Sequence, residues 1–144
     1  MRLLVSACLL GCACRYDGGG KPREAVLRLA EQHELIPVCP EQLGGLPTPR
    51  PPAELQGNRV VNREGEDVTA AYQNGAAETL RLCQLLHADG AVLKARSPSC
   101  GKGQVYDGSF SGVLVPGNGV TAQLLLTHSI PVWTEDEADS IPSS

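Results

Sequence analysis

The sequence predicts an α/β fold: a single domain with a mostly parallel sheet flanked by helices, a Rossmann-like three-layer sandwich. Three observations predict it. Apolar runs of strand length alternate along the chain with segments whose apolar residues recur at helical spacing. The helical segments close on glycine or turn residues, where a chain leaves a helix to begin the next strand. The 144 residues suffice for one core without staples, and no linker or internal repeat divides them.

Taken in order, residues 2–8, RLLVSAC, are of strand length and lead into a glycine-containing loop. The leading Arg2 and apolar run superficially resemble a signal peptide. Ser6, Gly11 and Arg15 break that run, which is too short to span a bilayer. No other segment approaches transmembrane length, so a soluble, cytoplasmic protein is expected. Residues 16–22, YDGGGKP, read as a loop with Pro22 in the first turn of a helix. In REAVLRLAEQH, residues 23–33, Ala25, Val26, Leu29 and Ala30 share one helical face. ELIPVCPE supplies a second strand, and Pro37 within it argues for a sheet edge.

Residues 43–67 are rich in Gly and Pro and read as a long loop inserted in the domain. A long helix then begins at Asp67 or Thr69, with Val68, Ala71, Tyr72, Ala76, Leu80 and Cys83 near a 3.6-residue period and Gly90 as its end. AVLKA is the third strand. A glycine-dotted loop, a helix near VTAQLLLTH and a last strand, IPVWTE, follow, and the acidic tail from Asp136 is expected to fray.

The charge balance excludes one class of partner. Sixteen acidic against twelve basic residues give a net charge of −4, so no overall basic field gathers a polynucleotide. The sequence carries no signal for an oligomer, and a monomer is compatible with it. Six cysteines in a reducing compartment point to metal or catalytic use rather than a disulfide framework.

Parallel strands bring their carboxyl ends to one rim, where open α/β sheets bind ligands. Cys8 closes the first strand, Cys39 the second, and Cys100 follows the third, so three thiols remote in sequence are expected to converge. Each has neighbours that a plain core position does not need: Gly11 after Cys8, Pro40 and Glu41 after Cys39, Pro98 and Gly101 around Cys100. Thiolates are the ligands that soft metals and iron–sulfur clusters take. Three of them leave one corner of a 4Fe–4S cluster open, which points to substrate binding at iron. Cys83, on the apolar side of the long helix, reads as core. Cys12 and Cys14 form an unusual C-x-C pair, and Cys14 is a competitor for a fourth ligand. The glycine loop lacks the spacing of a phosphate-binding fingerprint, and His33, His87 and His128 lack metal-ligand spacing.

Two rival readings stay open on the residues alone. In one, the thiolates with Glu41 or Cys14 close the shell of zinc or a cluster in a structural or sensor protein. In the other, Cys100 is a nucleophile activated by Lys94 and Arg96 without any metal.

VSACLLG, RYDG, VCPEQLGGLPTPRPPAE, LKARSPSCGKGQVYDGSFSG and VPGNGVTA together resemble a bacterial family whose characterised members are thiouracil desulfurases. The resemblance runs from about Leu4 to Trp133. It implies a 4Fe–4S cluster held by Cys8, Cys39 and Cys100 with one open iron site. It also implies non-redox removal of sulfur from a thiolated pyrimidine, 2-thiouracil or similar, giving the oxo base and sulfide, with the thiocarbonyl sulfur binding the free iron. The family's catalytic acidic residue falls at Glu41 and its active-site serine at Ser97, with Ser99 the second choice. Chemically, Glu41 is expected to act as general base toward water, Ser97 to orient pyrimidine or water, and Asp17 to support the site from behind. A small thiopyrimidine is the expected partner, with neither stable nucleic acid nor membrane.

Overall fold

Arg2–Ser6 forms β1, and its side chains alternate between two cores as a strand's period of two requires. In the computed structural model, which describes residues 1–143, Leu3 and Val5 join one apolar cluster and Leu4 the other. β2 (Glu34–Val38), β5 (Gly90–Leu93) and β8 (Val132–Thr134) complete a parallel sheet in the order β2–β1–β5–β8. β5 repeats the alternation, with Val92 in the first cluster and Ala91 and Leu93 in the second. Each of these fully buried Leu and Val side chains contributes about 1.5–3 kcal/mol. Pro37 lies in the edge strand, as its missing N–H favours.

The layers follow from those clusters. α1 (Glu24–Leu27) and the C-terminal segment cover the first face, through Val26, Ala138 and Ile141. α3 (Thr69–Leu85) and α4 (Val120–Thr127) cover the second, through Cys83, Ala122 and Leu125. The three-layer α/β arrangement read from the sequence is the one observed. Among the described residues no helix is long and apolar enough to cross a membrane.

Several boundaries differ from the sequence reading. The helix expected over 23–33 is α1 plus a 3₁₀ turn, Arg28–Glu31. Of its expected apolar face only Val26 is fully buried, so packing anchors one turn rather than three. The loop expected over 43–67 carries structure. After the short helix α2 (Pro40–Leu43), β3 (Ala53–Gln56) and β4 (Arg59–Asn62) form an antiparallel hairpin whose turn has Gly57 at φ +63°. The glycine-dotted loop likewise contains a hairpin, β6 (Gln104–Tyr106) with β7 (Leu114–Pro116).

α3 stops at Leu85, five residues before Gly90, and His87 at φ +54° turns the chain. Gly90 instead opens β5, where a Cβ would sit 2.6 Å from the Trp133 ring. Among the described residues the tail from Asp136 does not fray: Glu135–Ser140 is a 3₁₀ helix opened by a capping box between Thr134 and Glu137. Ala138 and Ile141, 5% and 8% exposed, seal it onto the core.

Candidate functional site

The order of the sheet strands places a switch point between β1 and β5, because the chain leaves β1 toward β2 on one side and later returns to its other side. Ligands of such sheets bind in the crevice beyond the carboxyl ends there. A cavity of about 470 Å³ occupies that position, and Cys8, Cys39, Cys100, Glu41 and Ser97 all line it.

Each thiol is held by a separate local device. Cys8 lies in the 3₁₀ turn Ala7–Leu10, just beyond β1, and its carbonyl accepts from the N–H groups of Gly11 and Lys21. Gly11 closes that turn at φ +99°, a conformation that favours glycine. Cys39 is the residue between β2 and α2, with Pro40 in the first helical position. Cys100 stands on a turn built by Ser97, whose Oγ accepts from the N–H groups of Ser99 (3.0 Å) and Cys100 (2.9 Å). Three chain segments thus deliver three sulfurs to one cavity.

A fourth thiol joins them. Cys14 is 6% exposed and lines the same cavity, and its carbonyl lies 3.7 Å from the Cys39 Sγ. Cys12 is exposed, and Cys83 is packed in the core and does not line the cavity.

Electrostatics make this wall unfavourable for bare thiolates. Burial pushes the Cys8 thiol up to about 11, with Lys94 pulling the other way. Burial, then the neighbouring Cys39 and Cys8, push Cys14 up to about 12. Burial also carries Cys100 to about 12 against a hydrogen bond from Ser6. A cation among the sulfurs removes that penalty, since coordination deprotonates a thiol outright. A cluster's irons therefore fit the donor set.

No group of three or more His, Cys, Asp or Glu among the described residues converges closely enough for one metal ion. The thiols share one cavity wall, and several thiolates delivered to one place are the donor set of an iron–sulfur cluster. The metal-free thiol reading fares worse. A Cys100 thiol near 12 is a poor nucleophile at neutral pH. Of the two cations meant to activate it, Lys94 is bound to Glu135 at 2.8 Å.

Glu41 faces the cavity from α2 and is anchored through one oxygen. Its Oε1 accepts from Arg50 Nε at 3.0 Å and from the Tyr72 hydroxyl at 2.8 Å, while Oε2 has no protein donor among the described residues. Burial, then the Glu41 charge, holds the Tyr72 phenol far above its ordinary range, so Tyr72 is a donor. Burial opposes the charge on Arg50, and Glu41 more than offsets it. The remaining Arg50 donors reach the carbonyls of Pro47 and Cys14 and the Thr48 hydroxyl. One guanidinium therefore ties α2, the loop before β3 and the Cys14 backbone together.

Two glycines make that arrangement possible. A Cβ on Gly75 would lie 1.9 Å from the Pro40 carbonyl oxygen, and one on Gly44 would lie 2.0 Å from that of Ala71. The bare backbones let α2 rest directly on α3, which brings Glu41 to Tyr72.

Sequence reasoning took Tyr72 for a core-facing position and did not place Arg50. The readable signal was Gly75, a glycine inside a helix, which marks a close backbone approach. Ser97 and Ser99 separate clearly. Ser99 is 1% exposed, lies off the cavity wall and meets the Thr121 hydroxyl at 3.1 Å, fastening the Cys100 turn to α4. Asp17 is exposed and off the wall too; it accepts from the Gly19 N–H and pairs with Arg15, which does line the cavity.

A family model described as 2-thiouracil desulfurase matches residues 3–137. A curated relative from Bacillus subtilis (strain 168), the uncharacterized protein YbbK, is 42% identical over 149 residues, covering 96% of this chain and 99% of its own. Among solved structures, the [4Fe-4S]-dependent thiouracil desulfidase TudS is similar at a TM-score of 0.91 and 46% identity. The match covers 96% of this chain and 93% of that one.

Proposed function

This chain belongs to the 2-thiouracil desulfurase family, and from that premise we propose that its rim cavity hydrolyses the C–S bond of a thiolated pyrimidine such as 2-thiouracil. The balance is thiocarbonyl plus water giving carbonyl plus hydrogen sulfide, with no net redox change. A 4Fe–4S cluster is the cofactor, in keeping with TudS. Cys8, Cys39 and Cys100 would hold it, and one iron would be left without a protein ligand. The observation that carries the reading is the delivery of these three sulfurs and the anchored Glu41 to one cavity wall.

When bound, the cluster supplies a soft Lewis acid for the thiocarbonyl sulfur, drawing electrons from the carbon to be attacked. The rest falls to side chains. Arg50 and Tyr72 hold Glu41 by Oε1, so Oε2 is the atom left to take a proton from water. Two backbone N–H groups already occupy the acceptor side of the Ser97 Oγ. Its O–H is the group that remains, a donor for an oxygen or ring nitrogen of the pyrimidine. Tyr16, Tyr106 and Phe110 line the cavity and exclude water from the ring faces. Asp17 acts only through Arg15.

Sulfide release from anaerobically reconstituted protein, with 2-thiouracil and 4-thiouracil as substrates, tests the reading. Glu41→Gln is expected to lower the rate by about 10²–10⁴ with cluster content unchanged. Full turnover in that variant removes Glu41 from the role.

A further inference from the structure

Beside the thiol cavity lies a second, smaller one of about 230 Å³, lined by Leu9, Pro22 and a set of charged side chains. Lys21, Lys94 and Arg96 belong to the walls of both cavities, so these cations form the partition between them. The carboxylates of the smaller cavity are already engaged, Glu135 by Lys94 and by the Ala95 N–H, and Asp136 by Arg23. Lys21 and Arg96 have no carboxylate within ion-pair distance among the described residues. Two positive charges are therefore left over, in a chain whose net charge is −4. Such a cavity selects an anion.

We infer that this cavity binds the hydrosulfide anion and is its way out. The inference rests on the desulfuration reading. Hydrolysis of the thiocarbonyl yields one sulfur anion and one proton for each oxo base formed, at the wall where Lys94 neighbours Cys8. The partition cations offer that anion a path sideways, apart from the larger cavity that takes the pyrimidine. Both the size and the lining suit a small, soft anion. The volume falls below the roughly 300 Å³ at which pockets for organic ligands begin, and Pro22 supplies an apolar side that a strongly hydrated oxyanion disfavours.

Two measurements on the cluster-loaded protein test this. Crystals soaked in sodium bromide are expected to show anomalous density in the smaller cavity between Lys21 and Arg96, lost in the Lys21→Met/Arg96→Met double variant. In turnover, the inhibition constant for added sulfide is expected to rise about tenfold in that variant, the effect of removing two solvent-facing charge contacts. Lys21→Arg, which keeps the charge, leaves it at the wild-type value, and added phosphate inhibits wild type and the double variant equally. Bromide absent from the cavity, sulfide inhibition unchanged, or phosphate inhibition that falls in the double variant each overturns the exit. Sulfide release at full rate with an empty cavity sinks the exit alone. Bromide bound in a protein that frees no sulfide from any thiopyrimidine sinks the desulfuration reading, and the exit with it.

Discussion

Replacing Gly75 with alanine puts the coupling between packing and chemistry to a direct test. The new Cβ would stand 1.9 Å from the Pro40 carbonyl oxygen, where real Cβ atoms stay beyond 3.0 Å, so α2 and α3 must part by about 1.1 Å. Pro40 lies between Cys39 and Glu41, and its retreat carries Glu41 away from Tyr72. A displacement near 1 Å in a catalytic constellation costs about 100-fold in rate, or about 2.7 kcal/mol. Stability responds less. Alanine favours the helical backbone by about 1 kcal/mol over glycine, against about 1–3 kcal/mol for overpacking at this buried position. The melting temperature is therefore expected to fall by no more than about 8 °C. The assay pairs sulfide release with iron content and a thermal melt. Unchanged turnover refutes the positioning argument. So does a loss of turnover that only tracks lost iron, because that places the damage at Cys39 rather than Glu41.

Thiol chemistry gives a second expectation: in cluster-free protein at neutral pH, iodoacetamide labels the exposed Cys12 well before Cys8, Cys14 and Cys100, whose burial holds them near 11, 12 and 12. Peptide mapping over time reads the order, and early labelling of Cys100 contradicts it. A third concerns acid. The Thr134 N–H, and then Lys102 through a pair at 3.0 Å, hold the Glu137 carboxyl below its ordinary value. A depressed carboxylate stabilises the fold above its unfolded pKa, about 4.3, and loses that contribution as pH falls through the folded value. The melting temperatures of wild type and Glu137→Gln are thus expected to differ at pH 7 and converge in acid. A gap constant across that range refutes the tail anchor.

The convergence of Cys8, Cys39 and Cys100 was legible because each follows a strand, and a parallel sheet sends all its carboxyl ends to one rim. What Glu41 touches was not legible. Tyr72 sits at a helical period that reads equally as core, and its partner is 31 residues away in sequence. Arg50 occupies a proline-rich stretch without periodicity, so nothing local says where its guanidinium points. The errors have physical causes too. Acidic, small residues read as a frayed tail, yet Thr134 and Glu137 spell a capping box three residues apart. Gly57 with Asn58 was a hairpin turn signal inside a segment read as loop. Gly90 was read as the end of a helix because glycine does that often; the Trp133 ring, absent from local sequence, is why it is there.

Iron and acid-labile sulfide per chain, after anaerobic reconstitution of wild type and each cysteine-to-alanine variant, address the shared-rim cluster most directly. Four irons and four sulfides are expected in wild type, in Cys12→Ala, in Cys14→Ala and in Cys83→Ala, with the cluster lost from Cys8→Ala, Cys39→Ala and Cys100→Ala. A single tightly held zinc, or a full cluster surviving the loss of any one of those three sulfurs, contradicts the account.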